Sequence, residues 1–401
     1  MSREVWITGI GLTSSLGEGL DAHWRAMAEA EQPRPVTDLS FTPPYAVHPM
    51  VPLELGEQIP RRADQRQMEA WQRLGTYSAG LALADAGIAG DLDILGRTHV
   101  IVAADGGERD VEADSGILEG MDGASDSAAF LNERLGSDLR PTLFLAQLPN
   151  LLAGNISIVH KVTGSSRTFM GEEIAGASAL EIAARRIAAG QGDIFIVGGT
   201  WLSERKDMIV NYALGGLLWA DEPIPVWERA EAGGGTVFGS VGAFLILEAR
   251  DHAEARDRKP YARLGSIRTD QSRRRPGDAA RKLARQFDEI VPADQPPPAL
   301  LSGATGVAQA TIEERDLLRE LIAAGRVSAV RASGTLLGHA TSATFAALAG
   351  LAALAMSRRG FFRAVDGTGL EVPLSEVPKQ VVITTTGVWR GEASGLITSI
   401  N

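Results

Sequence analysis

Apolar positions along this chain fall into two patterns: short unbroken runs, and stretches in which they recur every three or four residues. Their alternation predicts strands interleaved with helices. The clearest unit spans Gly164 to Gly199. Ser166 to Met170 reads as a short buried strand and Gly171 permits a tight turn. Ile174, Ala177, Leu180, Ala183 and Ile187 then share one helical face, and Gly190 ends the helix. Asp193 to Val197 forms an apolar strand closed by Gly198 and Gly199. The unit is a βαβ crossover whose strand-to-helix turn holds two acids, Glu172 and Glu173.

The same alternation extends over the rest of the chain. Glu4 to Gly11 is an apolar strand that runs into glycines before a helix carrying Trp24 and Met27. Its loop is longer than a GxGxxG fingerprint allows, which argues against a dinucleotide site. Residues 32 to 65 are proline-rich and without period, as expected of a surface excursion. An amphipathic helix from Gln67 to Gly87, a strand from Thr98 to Ala104, an acidic insertion with weak helical pattern at 108 to 140 and a helix from Pro149 to Ile158 complete the approach to the crossover. Beyond it lies a hairpin candidate, Gly233 to Glu248, with Val241 to Leu247 as a strand. From Lys259 the order begins again: strand Tyr261 to Ile267, helix Pro276 to Ile290, strand Pro298 to Ser302, helix Thr311 to Ala324, strand Val327 to Ala332, helix Ala340 to Met356, and strands Gln380 to Thr386 and Ser394 to Ile400. This predicts layered α/β architecture in two halves, 1–258 and 259–401, with parallel strands between helices.

Composition narrows the chemistry. Of the 401 residues 44% are hydrophobic and none is cysteine, so a large core is possible while disulfides, thiolate metal sites and a thiol nucleophile are excluded. A net charge of -11 argues against a nucleic-acid surface. The local basic group of Arg273, Arg274, Arg275, Arg281, Lys282 and Arg285 reads as a solvated face or a landing place for an acidic partner. No long apolar run or signal-like N-terminus is present, so a soluble cytoplasmic protein with no membrane partner is expected. No histidine sits at metal-ligand spacing, and neither metal nor cofactor is expected.

Three blocks together resemble the β-ketoacyl-acyl carrier protein synthases of the thiolase superfamily: EVWITGIGLTSSLGEG at 4 to 19, Pro149 to Gly199, and GTLLGHATSATFAALAGLAAL at 334 to 354. FGSVGAFLILEARDHAEAR at 238 to 256 and ITTTGVWRGEASGLI at 383 to 397 support them. The resemblance implies a five-layer α/β/α/β/α sandwich of two pseudo-repeated βαβαβαββ halves, dimeric through the strand before the turn, which makes Ser166, Arg167, Thr168, Phe169 and Met170 interface candidates. It also implies a cysteine in that turn, where a helix N-terminus favours a thiolate.

Counting back from GDIFIVGG places Glu173 at the cysteine position. The histidine of the family's H-G-T motif becomes Ser302 within LLSGATG. Registering GTLLG against the family's GHLLG puts Thr335 at the second histidine and Val330 at the lysine, with Arg331 and His339 off register by one and four positions. The G-F-G-G turn becomes Gly387-Val388-Trp389-Arg390. Glu172, Glu173, His339, Val388 and Trp389 are therefore the candidates for a pocket or gate, with Trp389 placed to wall off the old site.

Glu173 reads either as a base or as a fixed anion, and a helix N-terminus should draw its pKa downward. The plainer reading is that Glu172 and Glu173 satisfy the first helical turn, or plug a disused pocket, and that His339 is a hydrogen-bonded structural residue. A carboxylate cannot hold an acyl chain as a thioester. By resemblance the chain is most similar to the chain-length factor (KSβ) subunits of type II polyketide synthases, which often carry glutamine at the Glu173 position. It would then pair as a heterodimer with a catalytic ketosynthase, meet the acyl carrier protein mainly through that partner, and shape the tunnel for a growing acyl or polyene chain. Two alternatives stand beside this: a malonyl-carrier-protein decarboxylase working through Glu173, and a homodimeric scaffold or acyl-binding protein. Residues 108 to 140 are placed at the interface.

Overall fold

The computed structural model describes residues 3–107, 109–139, 142–292 and 295–400. Its main sheet has 11 strands. Across it run Ala329–Ala332, Ala299–Ser302, Gln380–Thr386, Glu392–Thr398, Ala262–Asp270, Val5–Ser14, Val241–Ala249, Ile194–Trp201, His99–Ala103 and Ser166–Phe169, with Gly17–Glu18 paired to the Val5–Ser14 strand. Read inward from either edge, the five strands on each side follow one rule. The third strand of the set is outermost, then come the second, fourth, fifth and first. In both sets the fifth strand is antiparallel to its neighbours and the outer pairings are parallel. The two first strands meet antiparallel over Val5 to Ile7 and Ala262 to Leu264. The alternation seen twice in the sequence is thus one topology used twice.

Two helices, Glu173–Ala188 and Thr344–Arg358, touch strands of both sets and form the central layer. The second is buried without a break from Thr344 to Met356, as expected of a helix that is apolar on every side. Ala70–Asp85 and Leu151–His160 cover one outer face, Asp278–Ile290 and Ala308–Ala323 the other. The result is mixed α/β with helices on both sides of the sheet.

Several local expectations need correction. The Ser166–Phe169 strand is not buried: it is the edge of the sheet with one neighbour, Ser166 and Arg167 are exposed, and Met170 beyond its end is 63% exposed. Gly198 and Gly199 do not close the following strand, which runs on to Trp201. Glycine is required at 198 for close approach, since a Cβ there would lie 2.1 Å from the Ala243 carbonyl oxygen. The Gly233 to Glu248 hairpin does not form; Phe238–Gly239 instead joins Asp38–Thr42 and Tyr45–His48 in a small three-stranded sheet built from the stretch read as unpatterned.

The expected 67 to 87 helix is broken at Met68, where Glu69 starts a new helix through a capping box with Gln72. The acidic insertion resolves into two helices, Val111–Asp122 and Ser127–Asp138. Asp110 and Asp126 cap them by accepting from backbone N–H groups of their first turns. Glu108 and Arg140, at the ends of the expected insertion, lie outside the described residues.

Candidate functional site

The edge strand delivers the chain to a strained turn. Gly171 sits at φ +136°, and Glu172 at φ +61°, ψ −137°, a conformation that costs a non-glycine residue about 1–3 kcal/mol. The surroundings hold it there. The Glu172 N–H donates to Asp105 Oδ1 at 3.3 Å, and Asp105 Oδ2 accepts from the Thr341 hydroxyl at 2.8 Å. Glu173 is the first residue of the central helix and is 1% exposed.

Its carboxylate draws donors from three parts of the chain. Glu173 Oε1 accepts from His339 Nε2 at 2.9 Å and from the Val388 N–H at 3.1 Å, and the Glu173 backbone N–H adds to these. Burial is the largest influence on this carboxyl and pushes its pKa up, but the His339 hydrogen bond and charge and the two backbone donors outweigh it, so the net direction is downward. Oε2 and the far His339 nitrogen, Nδ1, are buried with no hydrogen-bond partner among the described residues. The Phe238 ring stacks over His339 with centroids 6.4 Å apart, and Tyr212 packs edge-on against Phe238 at 4.7 Å. Burial, then the charges of Glu173, Glu172 and Asp105, drive the Tyr212 pKa upward.

Glu172 is half-buried. Burial and the neighbouring Glu173 raise its pKa against the pull of Arg390, whose Nε lies 3.8 Å away. Val388 is buried, whereas Trp389 is 48% exposed and meets Tyr212 edge-on at 6.0 Å. The residue packed inside at the altered turn is therefore Val388, with Trp389 on the rim.

The other sequence candidates point elsewhere. Ser302 donates to Glu314 Oε1 at 2.7 Å and accepts from the Ala304 N–H at 2.9 Å. Glu314 is fully buried, its pKa raised by burial, and is wrapped by the Thr384 and Thr386 hydroxyls as well. Thr335 Oγ1 accepts from the Val226 N–H at 3.1 Å. Val330 is buried in its strand, and Arg331 donates to the carbonyls of Phe362, Val330 and Val372. Thr335, in register with the second histidine, is hydrogen-bonded to Val226, whereas His339, the pocket candidate four positions on, reaches Glu173.

Much of the basic group is neutralised by local acids: Arg274 by Glu392, Arg281 by Asp278, and Lys282 and Arg285 by Asp270. Asp105, Tyr212 and Phe238 were not singled out from sequence. Asp105 alone gave a signal, since it closes the VIVAA strand at its carboxyl end, where open α/β sheets place their sites.

The arrangement sets, at the start of the central helix, a buried carboxylate whose Oε1 is already taken up by two donors. Residues 2–253 match the family β-ketoacyl synthase, N-terminal domain, and the chain belongs to the β-ketoacyl synthase family. It is 29% identical over 275 residues to a 3-oxoacyl-[acyl-carrier-protein] synthase 2 of Rhizobium meliloti, a match spanning 65% of this chain and 63% of that protein, somewhat under two thirds of its length. It is 26% identical over 346 residues to the ketoacyl synthase beta subunit of the tetracenomycin polyketide synthase of Streptomyces glaucescens, covering 84% of this chain and 81% of the relative. Among solved structures, the ishigamide ketosynthase/chain length factor shares the fold with a TM-score of 0.80 at 19% identity over 100% of both chains. Among the described residues no helix is long and apolar enough to cross a membrane, and no group of three His, Asp or Glu side chains is placed to hold a metal ion.

Proposed function

We propose that this chain is a non-catalytic chain-length factor that pairs with a cysteine-bearing ketosynthase and shapes the tunnel for the growing acyl chain. The observation that carries the reading is the state of Glu173. It stands where the family's nucleophile turn meets its helix, and its Oε1 takes up both the His339 Nε2–H and the Val388 N–H. Donors placed like these stabilise an oxyanion in an acyl-transfer site. Here a resident carboxylate occupies them. A carboxylate forms no thioester, and its lowered pKa makes it a weak base for decarboxylation.

The exposed edge supports pairing. Among the described residues no strand lies on the outer side of Ser166 and Arg167, Met170 follows them into solvent, and Val210 and Leu214 leave apolar side chains in water on the helix that also carries Tyr212. An unpaired strand is a template for another chain, and exposed apolar side chains mark surfaces that partners cover. The likeness to the tetracenomycin beta subunit, over most of both chains, is in keeping with this role. Co-expression with a ketosynthase from the same genome tests it. A stable one-to-one complex whose condensation activity survives Glu173→Gln here and is lost with Cys→Ala in the partner is expected. A homodimer that ignores the ketosynthase would favour the scaffold alternative.

A further inference from the structure

A second polar site lies away from the Glu173 turn. Arg229, on the Val226–Glu231 helix, is 2% exposed. Its terminal nitrogens donate to the carbonyls of Gly235 at 3.1 Å and Gly334 at 3.3 Å, while its Nε–H has no acceptor. Among the described residues no carboxylate is paired with it. The two carbonyls account for a donor at this place, but they leave a full positive charge unmatched in the interior, which is costly. Burial pushes the guanidinium pKa down to about 10. His48 lies close enough that the Arg229 charge adds to burial in bringing its pKa down to about 3, and its Nδ1 is buried with no hydrogen-bond partner among the described residues.

Arg229, His48 and Thr335 line one cavity of about 180 Å³. Thr335 already accepts from the Val226 N–H, so its own hydroxyl proton remains to be donated. The rest of the wall is largely apolar, with Pro33, Pro35, Pro223 and Val365 among its members, and Thr37 adds a further hydroxyl. Pro33, Pro35, Pro223 and Pro225 carry no backbone N–H, so much of the wall offers no donor.

We propose that this cavity binds a short-chain carboxylate, with its head group on Arg229 and Thr335 and its tail along the proline wall. The pairing supplies the missing counter-charge, and a guanidinium is suited to a planar carboxylate. Inorganic phosphate fits less well, because it carries more negative charge than a carboxylate and Arg229 is the one Lys or Arg among the described residues of the lining. The site is separate from the Glu173 turn and stands whether or not the chain is a chain-length factor.

Calorimetric titration with n-butyrate, its neutral analogue butyramide and inorganic phosphate tests the proposal. One saturable butyrate site is expected, with butyramide at least tenfold weaker. Arg229→Met should abolish binding. Because that variant removes a buried support, Val365→Trp provides a second test, filling the cavity from its apolar side with Arg229 in place, and should also abolish binding. The proposal is overturned by the absence of saturable butyrate heat, by equal affinity for butyramide, by tighter binding of phosphate, or by undiminished butyrate affinity in Val365→Trp.

Discussion

His339 donates from Nε2 to Glu173 Oε1 across 166 positions of sequence, and both side chains are almost wholly buried. Removing one member of such a pair leaves the other without its partner in a low-dielectric interior. His339→Ala is expected to cost about 3 kcal/mol in urea denaturation. Glu173→Gln, which keeps an acceptor at the same place, should cost less. In a double-mutant cycle with alanine at both positions the two losses should fall short of additive. Full additivity would mean that the contact contributes nothing.

The pH dependence follows from the direction of the Glu173 shift. Its folded pKa lies below its ordinary value of 4.5, so its contribution to stability is complete above that pH and is lost as the pH falls through the folded value. The difference in unfolding free energy between wild type and Glu173→Gln should therefore hold steady from neutral pH down to about 4.5 and shrink in more acid solution. A difference that grows on acidification would reverse the sign.

Glu172 is expected to be a site where glycine stabilises. Its φ of +61° is strained for any side chain, and its half-buried carboxyl is raised by burial and by Glu173. Glu172→Gly removes both penalties and should gain about 1 kcal/mol in spite of the added freedom of the unfolded chain. Chemical denaturation reads the effect directly, and a loss of stability would show that the Arg390 contact outweighs the strain.

The edge strand gives a test of pairing that spares the fold. The carbonyls of Ser165 and Phe169 accept from Val100 and Ala104 on the inner neighbour, so strand alternation turns the N–H and C=O of Ser166 and Thr168 outward. Thr168→Pro removes an outward N–H and breaks no inner bond. It should leave the melting temperature of the isolated chain nearly unchanged and abolish the complex with the ketosynthase in size-exclusion chromatography. Retention of the complex would place the interface elsewhere.

Much of this fold was legible because its helices and strands obey simple periods. The apolar faces that read as the Glu173–Ala188 and Thr344–Arg358 helices are the faces that fill the central layer. Burial of the Ser166–Phe169 strand was misread because an apolar-flanked strand looks the same whether its second neighbour belongs to its own chain or to none. Glycines misled in another way: Gly198 marks where two backbones nearly touch, a demand that looks like a turn signal in one dimension. At the site, Glu172 and Glu173 were found by spacing. Register alone puts Thr335 at the second histidine and leaves His339, a pocket candidate, four positions off, because register follows backbone position whereas contact depends on where the loop before Thr344 folds back. Nothing in the local sequence of Arg229 shows that its charge is unmatched; only the packed structure shows which acids fail to reach it.

The most direct measurement is intact-mass analysis of both subunits after the purified complex has been incubated with acyl- and malonyl-carrier protein and then denatured. An acyl adduct on the partner's cysteine and none on this chain is the expected result. An acyl adduct on this chain, or carbon dioxide release by this chain alone that disappears in Glu173→Gln, would contradict a non-catalytic role.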